Sequence, residues 1–302
     1  MKRIFHYVLT AVFLLAASLS FAQQAPTTNI GPEKGTLIIV GGGKVGPEIW
    51  ARFIEQAGGP NANIVVIPTA GDDSTIATGK SFERDLLKNL GVSNVTVLHT
   101  RDPKEANTAA FVAPLKKATG IWFTGGRQWK IADAYLHTLA EKEIKAVLTR
   151  GGVIAGTSAG ASIQGSFLFR GDTKGNAILE GDHVAGLDLI HHTAIDQHIL
   201  RRNRQFDMLG FIKKHPDLLG IGIDESTAIV VQKNNFEVIG NSYVAIYDIN
   251  HINGKDKSPT GEYGTDGPFY FLGKGQRFDL QQRKVVAAPA RGVNNPRLSN
   301  QN

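Results

Sequence analysis

Gly156-Thr157-Ser158-Ala159-Gly160 is the strongest chemical signal in the sequence. It is a G-x-S-x-G run between an apolar strand expected over 152–155 and the helix-compatible stretch 161–164. Such a run sets a serine hydroxyl on a sharp strand-to-helix turn above the carboxyl edge of a sheet, and the strained backbone tolerates only small neighbours. A serine nucleophile needs a base, and the base needs an acid to orient it. Among nine histidines, His198 stands out because it ends the strand-like Asp196-Gln197-His198 and leads into Arg201, Arg202 and Arg204. Glu225 closes another apolar strand, in Gly222-Ile223-Asp224-Glu225, and is suited to receive the second imidazole N–H. An oxyanion hole would draw one backbone N–H from Ala159 and another from the Gly125-Gly126 pair, with Gly126 the candidate.

Other chemistries fit less well. Gly41-x-Gly43-x-x-Gly46 has the form of a dinucleotide fingerprint, but Pro47 follows at once and Asp72 and Asp73 come too late for a ribose-binding acid. Those glycines read instead as a loop that lets something approach closely at the same sheet edge. His191, His192, Asp196 and His198 invite a metal, yet adjacent histidines on a strand face opposite sides and no H-E-x-x-H helix exists. The reading therefore assigns no metal and no cofactor. The absence of cysteine excludes disulfides, thiolate metal sites and every cysteine-nucleophile mechanism. With 33 basic and 27 acidic residues spread without runs, the net charge of +6 argues against a nucleic acid partner.

These residues need a scaffold, and the pattern implies one. Strands are expected over 36–40, 63–67, 94–98, 121–123 and 152–155, alternating with helices over 47–57, 81–90, 129–139 and 141–149. Nearly continuous apolar strands separated by helices imply an α/β, doubly wound, mostly parallel sheet. After about Thr193 closely spaced strands over 219–223, 227–231, 236–239 and 243–247, then a small hairpin over 269–286, indicate an antiparallel C-terminal extension. Ahead of this body, Lys2 and Arg3 precede an apolar run from Tyr7 to Leu19 and the small-residue site Ser20-Phe21-Ala22. That is the form of a cleavable signal peptide over 1–22, shorter than a bilayer span. The expected product is a periplasmic or secreted protein, free of the membrane after cleavage. It would have a flexible lead-in over 23–34, one catalytic domain over 35–288 and a disordered tail over 289–302.

Four segments together, Thr124-Gly125-Gly126-Arg127-Gln128, Gly156–Gly160, Asp196–His198 with its following arginines, and Gly222–Glu225, resemble in order and spacing the cyanophycinase family. That family is similar to aspartyl dipeptidase and has the class I glutamine amidotransferase-like (flavodoxin-like) fold. The resemblance implies Ser158 as nucleophile, His198 as base and Glu225 as orienting acid. It places Gln128, Asp196, Gln197, Arg202 and Arg204 where the family binds a β-linked aspartyl-arginine unit of cyanophycin, and it implies a homodimer. The sequence departs from the family in having Asp207 at a position of a further arginine and Arg127 at a common aspartate. Other aspartyl or β-aspartyl peptides therefore stay open as substrates. Two rival readings also stand: an α/β-hydrolase-type esterase that uses His251 with Asp224, and a non-catalytic periplasmic binding protein for acidic peptides.

Overall fold

The computed structural model describes residues 29–254 and 267–286. The expected signal peptide and tail lie outside the described residues. Strands run in chain order as β1 (Thr36–Val40), β2 (Asn63–Ile67), β3 (Asn94–Val97), β4 (Gly120–Phe123), β5 (Val153–Thr157), β6 (Gly165–Phe167) and β7 (Ile190–Gln197). They continue as β8 (Leu219–Ile223), β9 (Thr227–Gln232), β10 (Asn235–Gly240), β11 (Val244–Tyr247), β12 (Tyr270–Leu272), β13 (Arg277–Asp279) and β14 (Lys284–Val286).

The doubly wound parallel sheet is present, in the order β1-β5-β4-β2-β3, with all four pairings parallel. Antiparallel β9, β10, β13 and β14 continue it beyond β1 to nine strands. The rest of the C-terminal half is not an extension of that sheet. Strands β6, β7 and β8 pair in parallel and β8, β11 and β12 antiparallel, forming a separate five-stranded sheet. The expected last hairpin is likewise divided, since β13 pairs β14 whereas β12 joins the second sheet. Strand spacing along the chain carries no information about which sheet a strand joins, and β6 is too short to show a period.

Strand β1 is buried along its whole length, and its period of two divides the core. Leu37 and Ile39 face a core shared with Ile195, Ile221, Ile223 and Ile246 of the second sheet. Ile38 and Val40 face Ile49, Trp50 and Phe53 of helix Pro47–Ala57. A third cluster backs the second sheet with helix Asp207–Lys214. Because the first core belongs to both sheets, residues from both can meet at one edge. The lead-in is anchored earlier than expected: the Ile30 N–H donates to Asn234 Oδ1, and the His191 N–H donates to the Ile30 carbonyl.

On the Pro47–Ala57 side, Trp122 is fully buried, stacked on Trp50 with ring centroids 4.0 Å apart and set edge-on to Phe53 at 5.1 Å. Trp122→Ala should lower stability by about 3–5 kcal/mol, read as a fall in the urea midpoint at unchanged slope.

Candidate active site

Ser158 follows β5 at the start of the short helix Ala159–Ser162, with φ of 56° and ψ of −111°. This is a backbone conformation that a non-glycine residue adopts only when its surroundings impose it. Gly156 and Gly160 permit it, because a methyl group on Gly156 would lie 2.2 Å from the Gly160 carbonyl oxygen. His198 follows β7 of the second sheet, and Glu225 lies in the connection from β8 to β9, where the chain passes between sheets. Three successive carbonyls at the end of β1 gather these segments. Val40 accepts from the Ser158 N–H, Gly41 from the His198 N–H and Gly42 from the Ser226 N–H, at 2.8–3.0 Å.

The side chains meet in a row. His198 Nε2 lies 2.9 Å from Ser158 Oγ, and His198 Nδ1 lies 2.6 Å from Glu225 Oε1. With the Nδ1 proton donated to the carboxylate, Nε2 is left as the acceptor for the serine proton. Burial pulls the imidazole below its ordinary value; Glu225 opposes this, and the positive charges of Arg202 and Arg204 add to it. His198 is thus kept neutral near pH 7, as a base must be.

The glycine loop after β1 is the seat of this arrangement. A methyl group on Gly42 would lie 2.2 Å from the His198 ring, and one on Gly43 would lie 2.6 Å from Glu225 Oε2. Gly42 and Gly43 also have φ of 110° and 66°. What approaches this loop is the imidazole and the carboxylate. Near the nucleophile, Gly125 lies closest to Ser158, a methyl there falling 3.4 Å from Ser158 Cβ. Gly126, the expected oxyanion donor, turns the chain with φ of 138° against the Ala70 carbonyl, and Ala159 begins the helix after Ser158.

The expected substrate contacts divide. Gln128 is fully buried and its amide donates to the Phe169 and Arg170 carbonyls. Asp196 is fully buried in a two-point pair with Arg170, both contacts at 2.9 Å. Gln197 is buried and accepts from Arg204 Nη1. In this structure these three contact protein groups, and Gln128 Oε1 is buried without a hydrogen-bond partner among the described residues. Arg202 is exposed near His198 with no carboxylate partner among the described residues, and Arg204 is half-buried.

Sequence reasoning missed Arg170, which also donates to Asp207 Oδ2. Its two carboxylate partners lie 26 and 37 positions away, so no local pattern marks it. The chain thus uses Asp207 to hold a buried arginine. The rival base is elsewhere engaged: His251 Nε2 bonds the Gly267 carbonyl, and Asp224 accepts from the Leu200 and Arg201 N–H groups and from Ser242. The esterase arrangement is therefore not assembled.

A profile of peptidase family S51 matches residues 37–239. The cyanophycinase of Geminocystis herdmanii is 32% identical over 270 residues, covering 84% of this chain and 97% of that protein. That of a Nostoc species is 31% identical, covering 84% and 89%. Among solved structures, a peptidase from an acI-B1 actinobacterium superposes with a TM-score of 0.61 at 25% identity, covering 82% of this chain and 98% of that one.

Two measurements test the geometry. Gly42→Ala should cut the rate of Ser158 labelling by a serine-reactive phosphonate about 10²-fold, because a misplacement of ~1 Å at reacting atoms costs that much. The labelling rate of the unaltered protein should fall on acidification with a midpoint below the ordinary histidine value of 6.5. Arg202→Gln removes a charge that disfavours the imidazolium, so the midpoint should move up.

Proposed function

This chain belongs to peptidase family S51 and is a cyanophycinase-like serine peptidase, and from that premise we propose that it is exported and hydrolyses aspartyl peptides of the β-aspartyl-arginine kind through an acyl-enzyme. The observation that carries the reading is the continuous hydrogen-bonded row Ser158–His198–Glu225 at 2.9 and 2.6 Å. Ser158 Oγ attacks the scissile carbonyl carbon while His198 Nε2 takes the hydroxyl proton. Glu225 holds the ring and stabilises the imidazolium without itself taking the proton. The negative charge that develops on the carbonyl oxygen meets backbone N–H groups of Ala159 and the Gly125-Gly126 turn. His198 then returns the proton to the leaving amine, and the ester left on Ser158 is hydrolysed by water with His198 again as base.

Arg202, exposed and without a carboxylate partner among the described residues, is placed to take a substrate carboxylate, for which a planar guanidinium is well shaped. Arg204, tied to Gln197 through one nitrogen, adds positive potential behind it. The presence of a base and acid next to the serine favours this reading over a ligand-binding protein without activity. Export is supported by the basic residues, apolar run and small-residue site over 1–22.

Ser158→Ala should abolish release of aspartyl-arginine products from cyanophycin, read by mass, while leaving the melting curve in place. Glu225→Gln should lower kcat by about 10⁴-fold, since the imidazole loses the acceptor that fixes its tautomer. Full turnover by either variant would overturn the assignment.

A further inference from the structure

Two clefts lie near the nucleophile, one reaching Thr157 and the other Gly125, and they share one wall. The larger, of about 920 Å³, runs from Gly43 and Thr157 beside Glu225 and Ser158 along Trp50, Ile54, Leu86 and Trp122. The smaller, of about 390 Å³, is lined by Thr124 and Gly125, the latter close to Ser158. Phe82 and Glu83, at the start of helix Phe82–Asn89, line both. Phe82 is 72% exposed, an unusual position for a large aromatic side chain unless it meets a ligand.

Glu83 is different from the other acids in this region. Asp73 pairs with Arg101, Asp85 with Arg84 and Glu48 with Lys274. Glu83 has no cationic partner among the described residues, although the exposed Lys44 and Lys80 line the same clefts. Burial holds its carboxyl above the usual carboxylate range. Only its own backbone N–H opposes that effect, and a partly desolvated carboxylate without a cation costs stability unless a ligand completes it. Nearby, Trp122 Nε1 and Thr157 Oγ1 in the cleft lining are buried without hydrogen-bond partners.

We propose that Glu83 and Phe82 form a subsite for a basic side chain of the substrate, the apolar cleft covering its aliphatic stem and the Glu83 carboxylate pairing with its guanidinium or ammonium head. An aromatic face and a carboxylate in the wall of an apolar cleft match both parts of such a side chain. Arg202 and Arg204 serve carboxylates near His198, and Glu83 serves the opposite charge. A substrate with both an acidic and a basic group would then be read at two places. This inference rests on the peptidase reading for its substrate class, but its test does not need turnover.

The protein carrying Ser158→Ala is titrated calorimetrically with β-aspartyl-arginine and with β-aspartyl-citrulline, which has the same shape without the charge. The arginine peptide should bind about 10- to 100-fold more tightly, the range expected for a charge-assisted pair. Adding Glu83→Gln should bring the two within about twofold while leaving citrulline binding unchanged, which also shows that the cleft remains folded. Equal binding of the two peptides before that change, an undiminished preference after it, or no binding of either overturns the subsite. The unaltered enzyme is assayed on the same peptides and on cyanophycin in parallel. Selective binding without hydrolysis by the unaltered enzyme would refute the peptidase reading and leave the subsite; hydrolysis without selectivity would do the reverse.

Discussion

The site depends on three consecutive carbonyl groups at the end of β1. Val40, Gly41 and Gly42 accept hydrogen bonds from Ser158, His198 and Ser226, so the backbone of one strand end fixes the spacing of Ser158, His198 and Glu225, which are 40 and 27 positions apart. Each of those segments turns sharply there, with φ of 56° at Ser158, 55° at His198 and 57° at Ser226. Left-handed conformations at non-glycine residues cost of order 1–3 kcal/mol each, and they persist here because both faces of β1 are locked in separate cores. The absence of side chains at Gly42 and Gly43 is what lets the ring and the carboxylate come down onto the strand end.

Electrostatics is arranged around the same point. Asp196, which is buried, and Asp207, which is partly exposed, are both occupied by Arg170, so neither neutralises Arg202. The exposed positive charge is therefore available at the rim, and it also helps to keep His198 unprotonated. One cluster thus supports both ligand attraction and the state of the base, while Gln128 supports it from below by holding the carbonyls of Phe169 and Arg170.

Much of this was legible in the sequence, for identifiable reasons. Helix Pro47–Ala57 and strands β1 and β2 carry strong periodic patterns with clear ends, and they lie where the pattern puts them. Ser158, His198 and Glu225 each follow a strand or strand-like segment, which the sequence shows, but their strands belong to two sheets, which it does not. The second sheet was not legible, because β8 reads locally like the strands of the first and β7, with two histidines, a threonine and an aspartate, carries no strong apolar pattern. Nor were the partners of Asp196: a motif records that an aspartate is present, not that an arginine in a remote turn takes up both of its oxygens. The fingerprint-like glycines were read rightly as a place of close approach, but what approaches is decided by the tertiary fold.

The nucleophile stands on one sheet, its base on the other, and the acid at the crossing between them. A chain still being synthesised past Thr157 holds a serine with no imidazole beside it, and one in which the second sheet has not yet docked is no better equipped. Proteolytic competence thus arrives with the final closure of the fold, and an immature copy holds a serine that no base has yet been brought to activate.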